Sequence, residues 1–66
     1  MKISELREGK RFRLLIGSPK VYQYLGCKTY RNKFTMYMYR IYKIGKYPMT
    51  AGFLTTNPNI EVHPYD

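Results

Sequence analysis

Turn signals decide most of what this chain can become. Gly9, Gly17-Ser18-Pro19, Gly26, Gly45 and Asn57-Pro58-Asn59 cut its 66 residues into short pieces, most of them too short for helices. Between the breaks, residue character alternates with a period of two, as in half-buried strands. Lys10 to Ile16 puts Phe12, Leu14 and Ile16 on one face, and Arg11, Arg13 and Leu15 on the other. Val21 to Leu25 is a second strand with open faces: Val21 and Leu25 favour one side against Gln23, and Tyr22 with Tyr24 forms the other. Lys28 to Lys33, with Asn32, reads as a polar loop. Phe34 to Ile44 is the longest strand, with Phe34, Met36 and Met38 predicted inward and Thr35, Tyr37 and Tyr39 outward. Its β-branched and aromatic content favours strand over helix. At Arg40 the pattern stumbles. Either Arg40 lies on the core side at an edge, or a bulge resets the register so that Ile41 points inward. Met49 to Thr56, with a bend or bulge at Gly52, and Ile60 to Val62, with Ile60 and Val62 inward, make five strands. Ser4 is placed to cap one opening helical turn that Gly9 ends. His63-Pro64-Tyr65-Asp66 closes the chain, and Pro64 bars pairing on an inner strand. Five strands at this spacing, in a single domain over residues 1–66, suggest a small barrel or a strongly bent sheet. Barrel closure would hide the strand edges.

A chain this short buries only about 60% of the surface its unfolded form exposes, so it often needs a staple. The single cysteine, Cys27, excludes an internal disulfide, and with the single histidine, His63, it cannot form a four-ligand zinc site. Stability must then come from a tight core, aromatic packing or self-association, and eight tyrosines and three phenylalanines favour aromatic packing. A lone free cysteine points to a reducing compartment. The N-terminus lacks the apolar core of a signal peptide, and no apolar run reaches the roughly 18 residues that span a bilayer. The expected location is the cytoplasm, or a host's cytoplasm if the protein is viral, with no membrane partner.

Twelve Lys and Arg face four acids, for a formal net charge of +8. All twelve bases lie within residues 1–46, while residues 47–66 carry only Glu61 and Asp66 as charges. Such a body suits an anionic partner, either nucleic acid or an acidic protein surface.

Ile3-Ser4-Glu5-Leu6-Arg7-Glu8-Gly9-Lys10-Arg11-Phe12 contains an L-x-x-G-x-x-F opening. With Lys20 to Gly26 and the closing Asn57 to Val62, it resembles small SH3-like β-barrel proteins encoded by tailed bacteriophages. The residues that carry the likeness are Leu6, Gly9, Phe12, Val21, Gly26 and Val62, and in strand order it covers most of the chain. The resemblance implies an all-β fold, a small five-stranded mostly antiparallel SH3-like barrel with at most one short helical turn. It also implies a viral or accessory context, and it transfers no functional residue.

Catalysis finds little support. No carboxylates are paired at plausible spacing, and Cys27 and His63 have no third group to form a nucleophile–base set. Cys27 is expected to be a buried or half-buried structural residue and His63 a surface one. The five glycines form no phosphate-binding loop, so no cofactor is expected. The interleaving of Tyr and Lys/Arg from Lys20 to Tyr47 is the best functional signal, since cationic grooves with stacking aromatics bind single strands. Arg11, Arg13, Tyr37 and Tyr39 are the expected outward patch, with Lys43 joining only if no bulge intervenes at Arg40. That patch serves either of two non-enzymatic roles. One is a phage-type effector docking on an acidic host protein and modulating it, favoured because no nucleic-acid motif is present. The other is a small barrel binding single-stranded DNA or RNA. A homodimer through the long third strand is a related arrangement.

Overall fold

The computed structural model describes residues 1–31 and 33–65. Asn32, assigned above to a polar loop, and Asp66, assigned to the closing segment, lie outside the described residues. The strands are β1 (Arg11–Arg13), β2 (Lys20–Tyr30), β3 (Phe34–Ile44), β4 (Tyr47–Pro48), β5 (Gly52–Thr55) and β6 (His63–Pro64). They form one antiparallel sheet in the order β4-β3-β2-β1-β6, with β5 also paired to β3. The only helical element among the described residues is a 3-10 turn, Ile3–Glu5. The all-β, mostly antiparallel class holds.

Closure into a barrel does not occur, because no strand pair among the described residues joins the two ends of this order. The outlying two-residue strands β4 and β6 each contain a proline, Pro48 and Pro64, whose missing N–H blocks further ladder bonds. Strand bounds differ from expectation in four places. β1 stops at Arg13 because the chain turns at Leu15, where Ser18 N–H donates to the Leu15 carbonyl at 3.2 Å. Ile16, expected in the core, is therefore 80% exposed. β2 runs on to Tyr30, through the first half of the expected polar loop, and the Thr29 and Thr35 hydroxyls meet across the pair at 3.0 Å. Of the expected fourth strand only β5 forms, β4 lies before it, and Ile41 N–H bonds the Ala51 carbonyl between the two. Ile60–Val62 makes only an isolated bridge, Lys2 to Glu61, yet Val62 is fully buried and Ile60 packs on the core. Ser4 lies inside the 3-10 turn rather than capping it, and Glu5 Oε1 accepts from Lys2 N–H at 2.6 Å instead.

The core holds Ile3, Leu6, Phe12, Tyr22, Tyr24, Ile41 and Val62, with Tyr37 and Tyr39 packed against it. Four rings from four strands interlock. Phe12 stacks on Tyr22 with centroids 5.6 Å apart, and Tyr39 stacks on Phe53 at 5.4 Å. Tyr39 also meets Phe12 and Tyr22 edge-on, at 5.8 and 5.6 Å. Tyr37 and Tyr39 thus lie on the inner face, reversing the expected face of β3. Their rings bury more apolar area than methionine side chains while the hydroxyl can stay near the rim, so a core-poor chain turns tyrosines inward. Phe34, Met36, Met38 and Arg40 take the outer face by alternation.

Two bulges shape the β2–β3 pair. Tyr24 opposes Tyr39 but Gly26 opposes Met38, which leaves Leu25 as the extra residue on β2. Gly26 has φ +111, and a Cβ there would approach Glu8 Oε1 to 3.0 Å, so this bulge requires glycine. Tyr22 opposes Ile41 but Val21 opposes Lys43, which makes Tyr42 the extra residue on β3. A bulge near Arg40 is thus present, two residues further on. Ile41 is already inward by alternation, and the bulge turns Lys43 outward.

Replacing Tyr39 by alanine should lower unfolding free energy by about 3 kcal/mol, the scale of large-to-small core changes. Tyr30→Ala, at the far end of β2, should cost under about 1 kcal/mol. Equal urea midpoints for the two variants would remove Tyr39 from the core. Tyr24 tests the core through pH. Burial, then the Cys27 thiol, lifts its phenol from 10.0 to about 12. The fold thus favours the neutral phenol. That contribution is complete below pH 10 and is lost as pH rises towards 12. Urea midpoints at pH 9 and 11 should fall less in Tyr24→Phe than in the parent, and a parallel fall would contradict the assignment.

Candidate anion-binding face

Because Phe12 points inward, Arg11 and Arg13 point outward on β1. Across β2, Gln23 continues that face: it opposes Arg11 on one side and Arg40 on the other. Arg40 Nη2 donates to Gln23 Oε1 at 2.6 Å, which fixes the guanidinium over the sheet. Arg40 therefore neither faces the core nor breaks the alternation; it belongs to this outer face.

Two tyrosines carry the cations. The Arg11 guanidinium lies 4.2 Å from the Tyr42 ring centre, and that of Arg40 lies 5.8 Å from it. Arg13 lies 4.7 Å from the ring centre of Tyr65, and Lys43 Nζ 5.3 Å. Such contacts stabilise by roughly 0.5–1 kcal/mol when exposed. Here they also hold four like charges in fixed positions. Arg13 Nε is buried and has no hydrogen-bond partner among the described residues. Beside Tyr42, a cleft of about 450 Å³ is lined by Arg40, Lys43, Lys46 and residues 48–50. Among the described residues, no carboxylate lies within ion-pair distance of Arg11, Arg13, Arg40, Lys43 or Lys46. Glu61, by contrast, pairs with the terminal amine of Met1 at 2.9 Å.

Tyr65 registers the resulting field. A hydrogen bond and charge from Lys43, then the charges of Arg13 and Arg11, hold its phenol below the ordinary value of 10.0.

The structure places the five expected site residues unevenly. Arg11 and Arg13 are outward, as the alternation of β1 requires. Lys43 is outward because of the bulge at Tyr42, the reverse of the condition set for it. Tyr37 and Tyr39 are on the opposite side of the sheet. Arg40, Tyr42 and Tyr65 were missed. Tyr42 was hidden by its bulge, and Tyr65 by its position in the closing segment after Pro64. The signal that finds Arg40 is the alternation itself, once Tyr37 and Tyr39 are turned inward. Cys27 is exposed rather than buried, since it lies on β2 beyond Gly26, past the core, and His63 is half-buried on the outlying strand β6. The described residues contain no cluster of His, Cys, Asp and Glu able to hold a metal, and no helix long and apolar enough to cross a membrane. The chain matches no family model, no curated protein and no solved structure.

Titration of the tyrosine ring carbons by NMR should show Tyr65 ionising below 10.0, and Lys43→Met should move it back up. A wild-type Tyr65 that titrates at or above 10 would show that the cations do not converge on its ring.

Proposed function

We propose that the protein is a non-enzymatic nucleic-acid-binding module whose outer sheet face tracks a phosphate backbone. The observation that carries this reading is the set of five cations, Arg11, Arg13, Arg40, Lys43 and Lys46, without a carboxylate within ion-pair distance among the described residues. Protein–protein interface centres are depleted of lysine and acids and anchor on aromatic rings and arginines seated in the partner's pockets. Here the rings at the centre are already covered by the protein's own arginines. Interfaces with nucleic acid are much more positive and tolerate this arrangement. A guanidinium lying flat on a ring still directs its N–H edge outward, where a phosphate takes it in a two-point contact. Sequence-independent backbone contact needs no recognition motif, so the absence of one does not count against it.

Docking on an acidic host protein is the second reading, and one observation favours it. Leu15 and Ile16, in the loop after β1, are 70% and 80% exposed, as suits apolar anchors for a partner's pocket.

Binding to a labelled DNA oligonucleotide, followed by fluorescence anisotropy at several salt concentrations, separates the two. Arg11→Gln with Arg40→Gln should weaken binding and flatten the salt dependence by about 1.4 in log–log slope, two single-strand contacts' worth. Leu15→Ser with Ile16→Ser should leave binding unchanged. A parent protein that ignores DNA and RNA at low salt, but retains one acidic protein from nuclease-treated lysate in a Leu15- and Ile16-dependent way, overturns the nucleic-acid reading.

A further inference from the structure

Beyond the last residues that meet β1, β2 and β3 run on together, flanked by β5 as far as Tyr37, and end in a two-stranded arm, Lys28 to Tyr30 with Phe34 to Met36. Gly26 to Tyr30 pairs with Phe34 to Met38, and the molecule is 40 Å long for a width of 22 Å. Its turn is closed by Lys33 N–H donating to the Tyr30 carbonyl at 2.9 Å, with Arg31 in the left-handed region at φ +45. Tyr30 opposes Phe34 across the ladder, and their rings stack with centroids 5.4 Å apart and planes 26° apart. Phe34 is 48% exposed and Tyr30 41%.

The face on which these rings stand follows from register. β3 alternates without interruption from Phe34 to Ile41, so Phe34 shares the outer face with Arg40. The other exposed aromatics do not. Tyr47 opposes Ile44, which packs on the core, and Phe53 stacks on Tyr39 of the inner face. Tyr42 and Tyr65 are on the outer face but lie under cations. Among the described residues, Phe34 and Tyr30 are therefore the exposed rings in line with the cationic face. Lys28 Nζ is 5.4 Å from the Tyr30 ring centre, and the exposed Arg31 and Lys33 stand in the turn between the two rings in sequence.

We infer that the end of this arm is a base-stacking site, so that the nucleic acid the protein takes is single-stranded. Phe34 presents the stacking face, Tyr30 backs it, and Lys28, Arg31 and Lys33 contact the flanking phosphates. A duplex keeps its bases stacked on each other and offers none to such a ring, whereas an unpaired strand offers every base a π-face to cover. The inference rests on the nucleic-acid reading above and adds the strandedness and the second contact point.

The test compares two labelled 12-mer probes with the same number of phosphates, one of mixed deoxynucleotide sequence and one abasic throughout. The parent protein should bind the mixed probe roughly ten-fold more tightly than the abasic one, the scale of one stacked base. Phe34→Leu, which keeps apolar bulk but removes the ring, should bring the two affinities together at the abasic value. Tyr30→Ala with Phe34→Ala should do the same, with thermal midpoints and circular dichroism confirming that both variants fold. Preference for the mixed probe that survives in both folded variants overturns the stacking site while leaving the cationic face intact. Equal binding of both probes by the parent does the same. Tighter binding to a duplex of the mixed sequence than to the single strand overturns the assigned strandedness. Failure to bind any probe at low salt overturns the nucleic-acid reading itself, and the stacking site with it.

Discussion

The interlocking of Phe12, Tyr22, Tyr39 and Phe53 is the contact on which the rest of the molecule depends. Each ring comes from a different strand, so the cluster ties β1, β2, β3 and β5 together in a chain without a disulfide and without a metal-binding cluster among its described residues. Rings of this size bury about 150–250 Å² each and gain further from edge-to-face geometry. In 66 residues, little else can supply that much contact from four side chains. Once these rings turn inward, alternation leaves no freedom: the residues between them on each strand turn outward, and those residues include Arg11, Arg13, Gln23 and Arg40.

The bulges then decide how the outward residues are spaced. Without the extra residue at Tyr42, Lys43 would share the face of Ile41 and compete for the core. With it, Tyr42 and Lys43 both join the outer face, one beneath Arg11 and Arg40, the other beside Tyr65. Val21, opposite Lys43, is nearly fully buried on this same side, although it stands apart from the main core cluster. The second bulge, at Leu25, falls where β2 leaves β1, and its glycine lets Glu8 close against the sheet. From that point β2 and β3 run on to the arm, flanked by β5 as far as Tyr37.

Tyrosine has two uses in this chain, and the division is physical. Tyr22, Tyr24 and Tyr39 give their rings to the interior, and burial holds the phenols of Tyr24 and Tyr39 above their ordinary range. Tyr42 and Tyr65 give their rings to cations, and the phenol of Tyr65 moves in the opposite direction. The same residue type thus provides two of the seven core-cluster residues, two more packed against them, and the seats for the charge.

By itself the sequence determined the all-β class, the turns at Gly9, Gly17 and Gly45, the burial of Phe12 and Val62, and the outward arginines of β1. These follow from local rules: alternation has a period of two, glycine accepts positive φ, and an arginine beside a buried phenylalanine must face away. Tertiary structure alone decided which face of β3 is inside. Alternation fixes that Tyr37 and Phe34 point to opposite sides but is silent on which side is which, and hydropathy, which ranks methionine as more apolar than tyrosine, points the wrong way. The ring partners on β1, β2 and β5 settle it. Tertiary structure also decided that the sheet stays open and that Tyr65, remote in sequence, lies beneath Arg13 and beside Lys43. Both depend on pairings between distant segments, β1 with β6 above all, which no local pattern encodes.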